Sequence, residues 1–161
     1  MSEPRRVYLD TNIFIVLREH HGPESEQLVA LAQASSQTGR ARLVTSELTL
    51  AELLVKPMAD GESDLARDYE QMIGGADWLT VLPVGRDVLR RAASLRSRHR
   101  GLKLPDAIHI GSALAGACSR VLTSDTGIKD TQLVRAEGTA PLTLVRPDLP
   151  SLIALARWIA E

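Results

Sequence analysis

Short apolar runs, several of them β-branched, alternate along the chain with longer stretches whose apolar positions recur at helical spacing. The run over 6–9 predicts a first buried strand, and 13–19 the helix that follows it. Leu28, Val29, Leu31 and Ala32 mark a second helix over 24–36. A short strand over 41–44 leads to Ser46, which can cap a helix carrying Leu48, Leu50, Ala51, Leu53 and Leu54 and stopped by Pro57. A helix over 65–73 ends at Gly74-Gly75, and a strand follows over 78–82. Val88, Leu89, Ala92 and Leu95 place a helix on the next stretch, and Pro105 suits the first turn of another that reaches about Ala117. Strands over 120–123 and 142–145 and a helix over 150–159 complete the pattern.

Strands in alternation with helices predict an α/β fold: three layers, α/β/α, around a mostly parallel sheet of about five strands. No repeat, low-complexity tract or linker divides the sequence, and 161 residues suit one domain over 1–161. The 44% hydrophobic and 24% charged residues exclude a disordered chain. Cys118 is the single cysteine, which excludes a disulfide framework and reads as a small buried apolar residue in a reducing compartment. The longest apolar run, 13–17, is too short for a bilayer, and the first residues lack a secretory signal. A cytoplasmic protein without a membrane partner is expected.

Charge narrows the choice of partners. A net charge of -1 excludes the global basicity of a histone-like binder, and 3% aromatic residues exclude a base-stacking platform. A nucleic acid would therefore be met through phosphates, shape and metal. The segment 86–103 carries Arg86, Arg90, Arg91, Arg96, Arg98, Arg100 and Lys103 against Asp87 alone. It is either a solvated helix face or a surface that steers phosphates towards Asp106.

In an open parallel sheet, sites form beyond the carboxyl ends of the strands. Asp10 follows the first strand directly and Asp125 follows the fourth, while Glu52 and Asp106 lie on helices that can lean over the same edge. Carboxylates about 4 Å apart repel by several kcal/mol in a half-buried site, so such a cluster needs protons or a cation. Hard oxygen donors without cysteine or paired histidines favour Mg2+ or Mn2+ over zinc. Metal-assisted phosphodiester hydrolysis is the chemistry that fits.

Each residue also has a plainer reading. Asp10 and Asn12 could cap the first helix, and Asn12 could instead orient Asp10 or meet substrate. Glu47 and Glu52 point about 140° apart on a helix, so one of them serves the site. Glu52 lies beside Leu48 and Ala51 on the side expected to approach the core, and Glu47 favours the helix dipole. Asp106 could serve only a dipole, and His109, one turn later, could face the same site or be a hydrogen-bonded core residue. Ser46 is a cap or a support for the site. Thr123 or Ser124 could bond a ligand carboxylate or the scissile phosphate. Asp130 is a solvated loop acid or an auxiliary ligand.

The segment Val7-Tyr8-Leu9-Asp10-Thr11-Asn12-Ile13 resembles the opening strand and acid motif of the PIN-domain nucleases. The stretch 46–52, the block Leu104-Pro105-Asp106-Ala107-Ile108-His109-Ile110-Gly111-Ser112-Ala113 and Leu122-Thr123-Ser124-Asp125 resemble that family's second, third and fourth motifs, in order. Thr126-Gly127-Ile128 then stands where the family often has an aromatic. The size and the Pro-Asp-Ala-Ile-His-Ile block are similar to the VapC toxins of bacterial toxin–antitoxin pairs. The resemblance implies a Mg2+- or Mn2+-dependent endoribonuclease that hydrolyses RNA with a metal-activated water. Asp10, Glu52, Asp106 and Asp125 would be its ligands, and Asn12, Ser46, Thr123, Ser124, Arg98, Arg100 and Lys103 its supporting or substrate-binding residues. It also implies a homodimer held inactive by a small antitoxin. The rivals within the family are a PIN nuclease of RNA processing and a non-catalytic PIN-like binding module. A haloacid-dehalogenase-type phosphatase is excluded, because Asn12 stands where its second acid belongs.

Overall fold

A computed structural model of the chain describes residues 5–129 and 141–161. Its elements follow in the order β1 (Val7–Leu9), α1 (Thr11–Glu19), α2 (Pro23–Gln37), β2 (Leu43–Ser46), α3 (Glu47–Asp60) and α4 (Ser63–Gly75). Then come β3 (Leu79–Leu82), α5 (Arg86–Arg98), α6 (Leu104–Ala115), β4 (Arg120–Leu122), β5 (Thr143–Val145) and α7 (Leu149–Ala160). All strand pairs are parallel, in the order β3-β2-β1-β4-β5, with Val7 in register with both Leu43 and Arg120.

Alternation along each strand divides the core into two. Val7, Leu9, Leu43 and Leu122 face one side, against Ile13 and Phe14 of α1, Leu31 of α2, Leu53 of α3, Tyr69 of α4 and Leu152 of α7. Tyr8, Val44 and Val121 face the other side, against Ala92 and Leu95 of α5 and Ala107, Ile110 and Ala113 of α6. The result is the expected three-layer α/β/α arrangement.

Three local expectations need correction. Pro57 does not stop α3 but lies inside it. It falls in the last turn, where the missing N–H leaves only one interior carbonyl without its partner, and the helix ends at Gly61. Gly61 adopts φ 70°, a left-handed conformation that glycine takes without a Cβ clash. Ser46 holds the N-cap position of α3 without a side-chain capping bond, because its hydroxyl is engaged elsewhere. The second strand lies at Leu43–Ser46, two residues beyond the start read from 41, in full register with β3.

The strand order reverses direction between β1 and β4. Chain connections leave this point on opposite sides, so a crevice opens beyond the carboxyl ends of those two strands. Whatever follows Leu9 and Leu122 enters that crevice.

Candidate active site

Asp10 follows Leu9 just past the end of β1 and is tied to β4 by its N–H, which donates to the Leu122 carbonyl at 3.1 Å. It is the N-cap of α1: Oδ1 accepts from the Thr11 N–H at 2.8 Å. Oδ2 accepts from the Thr123 hydroxyl at 2.6 Å. The capping reading and the site reading thus describe one side chain, buried and aimed at the end of β4. Thr123 also uses its hydroxyl oxygen to accept from the Asp125 N–H at 3.0 Å. Asp125 in turn folds back on its own loop, with Oδ1 accepting from the Gly127 N–H at 2.8 Å.

Asp106 enters from the first turn of α6 and is buried. A Cβ on Gly127 would stand 3.0 Å from Asp125 Oδ1 and 3.7 Å from Asp106 Oδ2. The two carboxylates therefore flank the bare α-carbon of Gly127, in a space a side chain would fill.

The fourth acid comes from α3. Glu52 Oε1 accepts from the Thr11 hydroxyl at 2.8 Å and meets His109 Nε2 at 2.5 Å. His109 Nε2 also lies 3.4 Å from Asp10 Oδ1. Carboxylates only accept, so Nε2 carries a hydrogen. On the far side of the ring, Nδ1 is 2.8 Å from the Tyr8 hydroxyl, which is bonded to Ser46 Oγ at 2.9 Å. A buried chain from Ser46 through Tyr8 to His109 thus ends on Glu52 and Asp10.

Electrostatics records the same convergence. Burial pushes the Asp106 carboxyl up to about 6, and the charges of Asp125, Asp10 and Glu52 add to it, with His109 opposing. Burial also raises Glu52, but the hydrogen bond and charge of His109 and the bond from Thr11 outweigh it and hold the carboxyl below its ordinary value. Burial pushes the Cys118 thiol up to about 12, so it stays protonated and unreactive.

The residues named from sequence distribute unevenly. Asp10, Asp106 and Asp125 gather at the ends of β1 and β4, and Glu52 joins them through Thr11 and His109. Ser46 supports the site through Tyr8, and Thr123 bonds Asp10 directly. Asn12 is exposed and does not orient Asp10; the Thr11 amide and Thr123 do. Ser124 is exposed. Glu47 is exposed in the first turn of α3. Ala51 is exposed too, so the seam of α3 runs through Thr49, Leu53 and Pro57, and Glu52 sits at its flank. Arg98, Arg100 and Lys103 are exposed around the α5–α6 turn. Among the described residues none of the three has a carboxylate partner. Asp130 lies outside the described residues.

Tyr8 and Thr11 also serve the site, through contacts that no sequence motif marks. Tyr8 reads as one more apolar residue of a buried strand, and only the fold brings its hydroxyl to His109. Thr11 borders Asp10 in sequence, a signal that could have been followed.

The donor set suits a hard divalent cation: carboxylate oxygens in excess, without cysteine. Among the described residues no three His, Cys, Asp or Glu side chains are already drawn together as a cage. The fit rests on the mutual repulsion at Asp106 and the space beside Gly127, both of which a cation would answer.

Known structures share the fold. A toxin–antitoxin complex from Klebsiella pneumoniae contains a chain 20% identical, with a TM-score of 0.59 over 88% of this chain and 98% of that one. VapBC2 from Rickettsia felis bound to a promoter DNA fragment is 15% identical, with a TM-score of 0.60 over 86% and 97%. VapBC-5 from Mycobacterium tuberculosis is 23% identical, with a TM-score of 0.54 over 89% and 99%. These likenesses concern the fold. No curated protein sequence matches significantly. The model of the PIN domain matches residues 7–133, which span β1, all four acids and the elements that hold them; the chain belongs to the PIN domain family.

Proposed function

We propose that the chain is a divalent-metal-dependent endoribonuclease and the toxin of a type II toxin–antitoxin pair. The observation that carries this reading is the gathering of acids at the strand switch point, where Asp10 and Asp125 share Thr123, Asp106 flanks Gly127 opposite Asp125, and burial first, then the charges of Asp125, Asp10 and Glu52, raise Asp106. Membership of the PIN family supports the nuclease assignment. The toxin–antitoxin complexes among its structural relatives support a small antitoxin as partner. The same reading takes 1–161 as one PIN-like domain, forming a homodimer in the cytoplasm.

Asp10, Glu52, Asp106 and Asp125 would hold Mg2+ or Mn2+. The chemistry such an ion supplies is a water of lowered pKa and neutralisation of charge on the phosphodiester. The protein's part is preorganisation. The Thr11 amide and the Thr123 hydroxyl fix both oxygens of Asp10, so its orientation does not depend on substrate. His109 and Thr11 pin Glu52 Oε1 and leave Oε2 as the free oxygen among the described contacts. Arg98, Arg100 and Lys103 supply positive charge to the phosphates.

The test is RNA cleavage with Mg2+ or Mn2+ present or chelated, for the wild type and Asp10→Asn. Cleavage by the wild type that stops in chelator and in the variant is expected. Cleavage that persists in either one refutes the metal mechanism.

A further inference from the structure

If the chain is the nuclease proposed above, the loop that carries Asp125 has to be held in shape. Asp10 stands at a strand–helix junction and Glu52 and Asp106 on helices, but Asp125 is carried by irregular backbone beyond β4. Its position must come from bonds to that backbone.

Arg146, the residue after β5, provides them. Its Nη1 donates to the Thr123 carbonyl at 3.1 Å and to the Asp125 carbonyl at 2.7 Å, and Nη2 donates to the Ile128 carbonyl at 2.8 Å. Loop carbonyls turned inward lose water, so each needs a protein donor. One guanidinium bonds three of them, the Asp125 carbonyl accepting from the Ile128 N–H at 3.2 Å as well. Arg146 is half-buried, yet among the described residues it has no carboxylate partner. Its charge is met by these carbonyl dipoles, on the same loop that carries Asp125.

The loop joins two ligands. Thr123 both accepts from the Asp125 N–H and donates to Asp10 Oδ2, while Ile128 anchors the far end in the core. We propose that Arg146 is a positioning residue for the cation site: its clamp on Thr123, Asp125 and Ile128 sets the loop that presents Asp125 and fixes Asp10. A planar fork is required. A lysine ammonium keeps the charge but offers one nitrogen, which cannot span three carbonyls.

The experiment compares full-length wild type, Arg146→Ala and Arg146→Lys. Mn2+ affinity is measured without RNA by electron paramagnetic resonance, together with hydrogen exchange of the Gly127 amide. Both variants are expected to bind Mn2+ at least tenfold more weakly and to exchange Gly127 faster. Millimolar methylguanidinium is expected to restore affinity to Arg146→Ala. A purely structural role would lower the melting temperature without that rescue. If Arg146→Ala does not fold, Arg146→Lys carries the test. Folded variants that bind Mn2+ as tightly as the wild type overturn this role and leave the nuclease reading intact. Wild-type protein that takes up no Mn2+ overturns both.

Discussion

Thr123 donates its hydroxyl proton to Asp10 at 2.6 Å, and that bond fastens the end of β4 to the end of β1 at the point where the sheet changes direction. The two residues are 113 positions apart in sequence. Thr123→Val keeps the shape but removes both the donor to Asp10 and the acceptor for the Asp125 N–H. Leaving a buried carboxylate oxygen short of a partner costs about 1–3 kcal/mol. Urea denaturation should show that loss for Thr123→Val and little of it for Thr123→Ser. An unchanged midpoint in the valine variant would show that the bond carries no weight.

Asp106 makes a prediction of the opposite sign. Its carboxyl titrates at about 6 in the fold, above the ordinary aspartate value. Folding therefore favours its protonated form. Its contribution to stability is fully present below about pH 4 and is lost as pH rises through about 6. In chelator near pH 7.5, Asp106→Asn should be more stable than the wild type by on the order of 2–3 kcal/mol. The difference should vanish towards pH 4. Chemical denaturation of both proteins across that range is the check, and a variant less stable at pH 7.5 contradicts it.

The basic surface is tested by salt. Arg98, Arg100 and Lys103 are exposed around the turn that leads into Asp106. Each phosphate contact to a single strand contributes about 0.7 to the slope of log affinity against log salt. Replacing all three with alanine should weaken RNA binding and lower the slope by about 2. Fluorescence anisotropy over a salt series measures it. An unchanged slope would return these residues to a solvated helix face.

The strand ends were legible because a buried strand announces itself by its apolar run, and an acid directly after it can hardly be elsewhere than at the sheet edge. Asp10 follows from that alone, and Asp125 lies three residues past Leu122 on the loop that leaves the same edge. Asp106 was marked by Pro105, which fixes the start of α6. Glu52 reaches Thr11 and His109 while Glu47 stays exposed in the first turn of α3, although the buried seam of that helix runs through Thr49, Leu53 and Pro57 rather than through Ala51. What the sequence hid were contacts made across the sheet. The chain from Ser46 through Tyr8 to His109 joins three elements, and no local pattern states that a strand tyrosine will meet a helix histidine. The sequence leaves His109 either facing the site or hydrogen-bonded in the core. Both hold: it is buried and bonded to Tyr8 through Nδ1, and Nε2 meets the site's carboxylates. Pro57 misled because local propensity places a stop where the last turn of α3 continues to Gly61.

The central claim is that Asp10, Asp106 and Asp125, with Glu52, form one cation site. Calorimetric titration of Mn2+ into the wild type and into the Asp10→Asn, Asp106→Asn and Asp125→Asn variants near pH 7.5 tests it most directly. The account predicts saturable uptake by the wild type and at least tenfold weaker uptake by each variant. No uptake by the wild type, or affinity untouched by all three substitutions, would contradict it.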